Sequence, residues 1–259
     1  MSRSQLNYKS RRREDPNLLC SILEIKDKHP YYGQPRVSAV LRSKGFEVNG
    51  KRVYRLLKTM SLLVPQKIKR SRIKYVPQER LPQACRQGDV WSVDFVLSRL
   101  SNGDPFRCFT LIDTYTREVP EIFVSRSMHG YAVVDYLEQL KTRIKLPRHI
   151  ILDNGPEFTN HVFVTWANRN NIILHFIDPG KPVQNAYVES FNGKFRSECL
   201  SLNTFPNIEV ARRRINKWLH HYNNERPHSS LDYLTPKKFA DLQPTVIDPK
   251  KNLPVLKTG

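Results

Sequence analysis

The hydrophobic periodicity of this chain changes at residue 89, and that change limits the folds open to it. Up to that point apolar residues recur at helical spacing. From there VWSVDFVL, FRCFTLID and EVPEIFV read as strands, with Asn102, Gly103 and Asp104 as the turn between the first two. A helix is then predicted over about 130–144, a short strand at HIILD, a helix near 160–170, a strand at NIILHFI and a helix over about 184–199. An antiparallel meander followed by alternating strands and helices predicts a mixed sheet covered by helices, an α/β layered domain.

Three acidic residues stand at informative places in that layout. Asp94 lies inside VWSVDFVL, Asp153 closes HIILD, and Glu189 lies in QNAYVESFNGKFR, with residues 154–188, a gap of 35, between the last two. Taken singly each has an ordinary explanation: an acid on an exposed strand face, a turn-forming or helix-capping Asp, a solvated helical face. Together they come from a strand, a strand end and a following helix, which can converge. Asn154 and Gly155 form a turn pair that lifts the Asp153 carboxylate over the sheet edge. Along the last helix Asn185, Glu189, Asn192 and Arg196 fall at i, i+4, i+7 and i+11, one polar stripe, while Val188, Phe191, Phe195 and Cys199 form an apolar one.

Two carboxylates about 4 Å apart repel by roughly 4 kcal/mol at an effective dielectric of about 20, so such a cluster requires protonation, separation or cations. Hard oxygen ligands suit Mg²⁺, with Mn²⁺ as a substitute. Two such ions can activate the attacking oxygen and stabilise the leaving oxygen of a phosphodiester. Asp94, Asp153 and Glu189 are therefore the candidate catalytic and metal-holding residues, and no side-chain nucleophile is required. The order of strands and helices is that of ribonuclease H-like folds.

Upstream, residues 1–60 predict a small all-helical domain. Asp15 can cap a helix that Pro16 begins and His29-Pro30 ends, with Leu18, Leu19, Ile22 and Ile25 inward. A second helix is predicted from near Pro35, stopping at Gly45, with Val37, Val40 and Leu41 inward. A third begins at Asn49. Its stripe Val53, Leu56, Leu57 and Met60 leaves Lys51, Arg52, Arg55 and Lys58 on the other faces, candidate DNA contacts of a helix-turn-helix, with an ordinary solvated face as the alternative.

Charge supports the DNA reading. Residues 1–88 hold 21 Lys and Arg against 6 acids, a net of +15, whereas residues 89–259 hold 22 against 18, a net of +4. A basic segment of that density favours a polyanion, because neutralised phosphates release condensed counterions. Residues 61–88 read as a basic linker in which Lys67, Lys69, Arg70, Arg72 and Lys74 crowd among prolines and can track a phosphate backbone, a solvated linker being the alternative. The catalytic core is predicted over 89–203, and a carboxy-terminal helix and tail over 204–259. No run approaches the eighteen or so apolar residues of a membrane span, and no signal-peptide core opens the chain, so a cytoplasmic protein is expected. Cys20, Cys85, Cys108 and Cys199 lie far apart with no Cys-x-x-Cys pair, which argues against a zinc site or a disulfide framework.

Asp94, Asp153 in LDNGPEF and Glu189 in QNAYVESFNGKFR resemble the DDE core of retroviral integrases and, more closely, of bacterial IS three family transposases. Residues 31–63 resemble that family's helix-turn-helix segment, and YNNERPHSSLDYLTPKKF at 222–239 resembles its carboxy-terminal stretch. The resemblance covers roughly residues 15–242. It implies the second-frame product of an insertion sequence, with a helical DNA-binding domain before a ribonuclease H-like mixed-sheet catalytic domain. It also implies Mg²⁺-dependent cleavage and strand transfer at the terminal inverted repeats, joining to target DNA, and a homo-oligomer on DNA in the bacterial nucleoid. A first-frame protein, separate or fused, is the implied partner.

The same resemblance places Arg196, seven residues after Glu189, where the family carries a cation on the DNA end. Lys194, Asn154, Gln184, Asn185 and Asn192 are further candidates for DNA contact or for supporting the carboxylates. The alternative function is a noncatalytic DNA-binding regulator of transposition, which the presence of all three acids disfavours. A nuclease that hydrolyses without strand transfer is a rival enzyme, disfavoured by the motifs after Glu189.

Overall fold

The computed structural model describes residues 15–64, 81–178 and 181–243, which fall in two compact units, 1–76 and 77–259. The basic cluster Lys67, Lys69, Arg70, Arg72 and Lys74 and the Pro- and Lys-rich tail lie outside the described residues.

The first unit is three short helices around one core. Helix α1 (Pro16–Lys28) begins where Asp15 accepts the Asn17 N–H at 3.0 Å. Helix α2 spans Gln34–Ser43 and α3 spans Gly50–Thr59, the latter capped by the Asn49 side chain on the Lys51 N–H at 2.9 Å. Leu18, Ile22, Ile25, Val37, Leu41, Val53, Leu56 and Leu57 meet in the middle, while Leu19, Val40 and Met60, also read as inward, are partly buried against them. Between α1 and α2, the Lys26 ammonium donates to the carbonyls of Pro30 and Tyr32 and closes the turn.

The second unit is a five-stranded sheet with helices on both faces. Its strands are β1 (Val90–Arg99), β2 (Pro105–Asp113), β3 (Ile122–Ser125), β4 (His149–Leu152) and β5 (Ile173–Phe176), in the order β3-β2-β1-β4-β5. The first three pair antiparallel and the last two join parallel to β1. The predicted turn is present, with Gly103 at φ 90° accommodating the left-handed backbone that other residues resist.

Alternation along the strands separates two cores. Trp91 and Val93 of β1, with Phe109 and Leu111 of β2, pack against α4 (Gly130–Lys141), α5 (Pro156–Thr159) and α6 (His161–Arg169). Val96 and Leu100, with Cys108 and Ile112, pack on the opposite face against α7 (Ala186–Glu198) and α8 (Ile208–Asn224). A 3₁₀ turn at Pro182–Asn185 leads into α7, and α9 (Pro236–Asp241) ends the described chain. Mixed α/β architecture of the ribonuclease H type, preceded by a helical unit, is what the sequence pattern predicts.

Helix α8 is integral to the second unit, because Ile215, Trp218, Leu219 and Tyr222 complete the core beneath α7. The segment after it is fastened at two points. Asn223 brackets Val119, accepting its N–H at 3.1 Å and donating to its carbonyl at 2.7 Å. Arg226 forms a bidentate pair with Glu198 at the end of α7, at 2.8 and 2.6 Å, with both residues buried.

Candidate active site

Strands β1 and β4 are parallel neighbours with Ser92 opposite Ile151. Two residues further along that register Asp94 stands opposite Asp153, which follows the last residue of β4. Neighbouring strands run about 4.8 Å apart, so the two carboxylates share one edge of the sheet. Pleating puts Asp94 on the same face as Val96, beneath α7, where Glu189 occupies the first turn.

The three acids act on one another electrostatically. Burial pushes the Asp94 carboxyl above the usual carboxylate range, and the charge of Asp153 pushes the same way. The Phe95 N–H, the Asn192 amide and the Arg196 guanidinium oppose the rise. Glu189 is also raised, by partial burial and then by the charge of Asp94. Asp94 is thus the link of the set: it feels the charge of Asp153, and Glu189 feels the charge of Asp94.

Each carboxylate is held differently. Asp94 accepts its neighbour's Phe95 N–H on Oδ1 at 2.7 Å and the Asn192 amide on Oδ2 at 2.7 Å. Asp153 accepts the Gly155 N–H on Oδ1 at 3.0 Å. The turn works because position 155 has no side chain: a Cβ there would stand 2.9 Å from that same oxygen. Glu189 is exposed on its helix. Among the described residues no group of three His, Cys, Asp or Glu side chains is drawn together closely enough to hold a metal ion. An all-oxygen, mutually repelling donor set nevertheless fits a hard divalent cation and not a soft one.

For Asn185 and Asn192, expected either to contact DNA or to support the carboxylates, burial favours the supporting role. Asn185 and Asn192 are 3% and 0% exposed, so they do not face solvent with Glu189 and Arg196. Asn185 pairs with the Ser92 hydroxyl and donates to the Val93 carbonyl at 3.1 Å, fastening the start of α7 to β1. Asn192 accepts the Thr110 hydroxyl at 3.0 Å while donating to Asp94. The polar stripe of α7 therefore divides, half of it buried against polar strand residues and half of it exposed.

Sequence reasoning missed Ser92 and Thr110, which are 1% and 0% exposed. A signal was there: Ser92 shares its strand face with Asp94, and the hairpin sets Thr110 opposite Asp94.

Comparisons with known proteins bear on the family and the fold. Two integrase core domain models match residues 84–182 and 170–236, and an HTH-like domain model matches residues 12–70. The chain is 37% identical over 241 residues to the "Insertion element IS407 uncharacterized 31.7 kDa protein" of Burkholderia multivorans, covering 93% of this chain and 87% of that one. It is 27% identical over 222 residues to "Transposase InsF for insertion sequence IS3A" of Escherichia coli, covering 81% of this chain and 77% of that one. The chain belongs to the IS3 family of insertion-sequence transposases. A simian T-cell lymphotropic virus intasome, solved in complex with a PP2A regulatory subunit, has a chain of the same fold. Its TM-score is 0.57 at 16% identity, with 92% of this chain and 80% of that chain covered.

In this transposase the remaining candidates are distributed as follows. Arg196 is exposed and its charge reaches Asp94. Lys194 donates to Ser190 at 2.8 Å. Asn154 donates to the Ile177 carbonyl at 2.6 Å, and Gln184 holds both the N–H and the carboxylate of Asp178. Both amides thus tie loops beside the site. In the first unit Lys51, Arg55 and Lys58 are exposed on α3, whereas Arg52 is half-buried. Among the described residues no helix is long and apolar enough to cross a membrane.

Proposed function

We propose that this chain is a DDE transposase that cleaves DNA at the ends of its insertion sequence and transfers the freed strand, using Mg²⁺ or, in substitution, Mn²⁺. The observation that carries the reading is the meeting of Asp94 and Asp153 on adjacent parallel strands beneath the helix that bears Glu189. Asp94, Asp153 and Glu189 are the residues that would hold the cations. When bound, a pair of such ions activates the attacking oxygen and stabilises the departing one. In the first step a water oxygen bonds to phosphorus and the 3′ oxygen leaves as a hydroxyl. In the second step that hydroxyl oxygen bonds in line to the phosphorus of a target phosphodiester as the target's own 3′ oxygen leaves, taking up a proton to become a hydroxyl.

The protein's own side chains fix the geometry of both steps. Asn192 holds Oδ2 of Asp94 from within the core, so that this carboxylate keeps one orientation. Gly155 lets the Asp153 carboxylate fold back on its own turn. Arg196, whose charge reaches Asp94 and which is exposed, would pair with a terminal phosphate. DNA ends and target DNA are the partners, engaged in part by the cationic face of α3. Pairing two ends implies at least a dimer on DNA, in the bacterial cytoplasm at the nucleoid. Light scattering that finds a monomer in an active end complex would refute that assembly.

The deciding experiment incubates the protein, with and without a fused first-frame partner, on labelled element ends with Mg²⁺ or Mn²⁺, alongside Asp153→Asn. Cleaved and joined products that vanish in the variant are expected. Binding without any metal-dependent strand chemistry, even with the fusion, would establish a noncatalytic regulator instead.

A further inference from the structure

Helix α3 presents more than cations. Lys51, Tyr54, Arg55 and Lys58 recur at i, i+3, i+4 and i+7 and are all exposed, directly behind the buried stripe Val53, Leu56 and Leu57. Tyr54 is 47% exposed in the middle of three cations, where a helix built only to hold phosphates has no use for an aromatic ring. Beside it opens a concavity of about 480 Å³, lined by Gln34 of α2 and by Gly50, Lys51, Tyr54 and Arg55 of α3.

Gln34 is held in that concavity. Its Nε2 donates to the buried Ser38 hydroxyl at 3.0 Å, and among the described residues Oε1 has no partner. The amide lies so close to the first residue of α3 that a Cβ on Gly50 would stand 2.7 Å from Nε2. A side chain at position 50 would thus displace the Gln34 amide, while the φ of Gly50 is not one that only glycine adopts and alanine would suit a helix better. An oriented amide at the amino-terminal end of an exposed basic helix is the arrangement that reads a base edge in the major groove, where adenine and cytosine offer amino donors.

We propose that Gln34 and Tyr54 form a base-reading pocket that selects sequence, while Lys51, Arg55 and Lys58 bind phosphates without selecting. The proposal rests on the DNA-binding part of the function above. It assigns discrimination to two residues outside the cationic set and makes Gly50 the residue that leaves room for the reading amide.

The test uses the full chain and a pool of short duplexes with a randomised centre, sequenced before and after retention on the protein. The wild type is expected to enrich a defined sequence. Gln34→Ala and Gly50→Ala should each relax the preference at the same one or two positions, by about tenfold, and leave the others intact. Gly50→Ala separates reading from folding, because alanine favours the helix and displaces only the end of a flexible side chain. Tyr54→Ala should relax a neighbouring position. Lys58→Ala should weaken retention of every sequence alike and lower the salt dependence by about one phosphate. Undiminished preferences in Gln34→Ala and Gly50→Ala would overturn the proposal, as would a wild type that enriches nothing. Loss of strand chemistry with base preference intact would instead overturn the transposase reading and leave this one standing.

Discussion

The Asn192 amide nitrogen lies 2.7 Å from Oδ2 of Asp94, joining residues 98 positions apart in the chain. The same side chain accepts the Thr110 hydroxyl, so helix α7 is keyed to β1 and β2 at the carboxylate that feels Asp153 and acts on Glu189. Replacing Asn192 with leucine keeps the branched heavy-atom skeleton and removes both bonds. Outer partners of ligating carboxylates are commonly worth about 10- to 100-fold, and a fall of that size in cleavage rate is expected. Binding of the ends should be unchanged. An unaltered cleavage rate in a folded Asn192→Leu protein would show that Asp94 does not need this hold.

Gly155→Ala acts on the opposite acid. The added methyl would sit 2.9 Å from Asp153 Oδ1 and 3.1 Å from Glu157 Oε2, so the Asp153 carboxylate must leave its own turn. The Mg²⁺ concentration giving half-maximal cleavage should rise, while the melting temperature moves little. Identical metal dependence in the two proteins would contradict this.

The raised carboxyls of Asp94 and Glu189 fix the sign of a pH effect. An acid whose folded value lies above its unfolded one favours the fold while protonated. That contribution is complete below the ordinary carboxylate range and is lost as pH rises through the raised values. At neutral pH without metal, Asp153→Asn removes one repelling charge and should raise stability by on the order of 1 kcal/mol, about 2–4 °C in melting temperature. The gain should vanish in acid, where Asp94 is already protonated. Cleavage by the wild type should correspondingly fall as the pH drops toward these raised values.

Divalent cations should reverse that ranking. A ligand that binds only the folded state stabilises it by about 2.7 kcal/mol at a hundredfold excess over its dissociation constant. Mg²⁺ or Mn²⁺ should therefore raise the melting temperature of the wild type and leave Asp153→Asn unmoved. Equal shifts in both would place the ion elsewhere.

The buried pair of Arg226 and Glu198 predicts a large loss of stability. Truncation to Arg226→Ala strands a buried carboxylate and should cost about 3–5 kcal/mol. The double replacement Arg226→Met with Glu198→Met removes both charges and should recover most of it. Chemical denaturation midpoints for the two proteins check this, and equal midpoints would refute it.

Much of this molecule was legible in its sequence because burial of apolar side chains leaves a periodic trace. Period-two runs after residue 89 and period-3.6 stripes before it located the strands, the helices and the change of architecture between them. Asp94, Asp153 and Glu189 stood out only together: each alone has an ordinary explanation, but a strand, a strand end and a following helix are elements that can converge.

What the tertiary structure alone decided is which polar groups face inward. Asn185 and Asn192 share a stripe with Glu189 and Arg196, and nothing local separates them. The difference arises because Ser92, Asp94 and Thr110 put polar atoms on the sheet face beneath α7, and buried amides there find partners instead of water. The same holds for Arg226 with Glu198 and for Gln34 over Gly50. Hydrophobic burial is additive along a segment and so is written locally, whereas a hydrogen bond needs two specific groups that only the folded chain brings together.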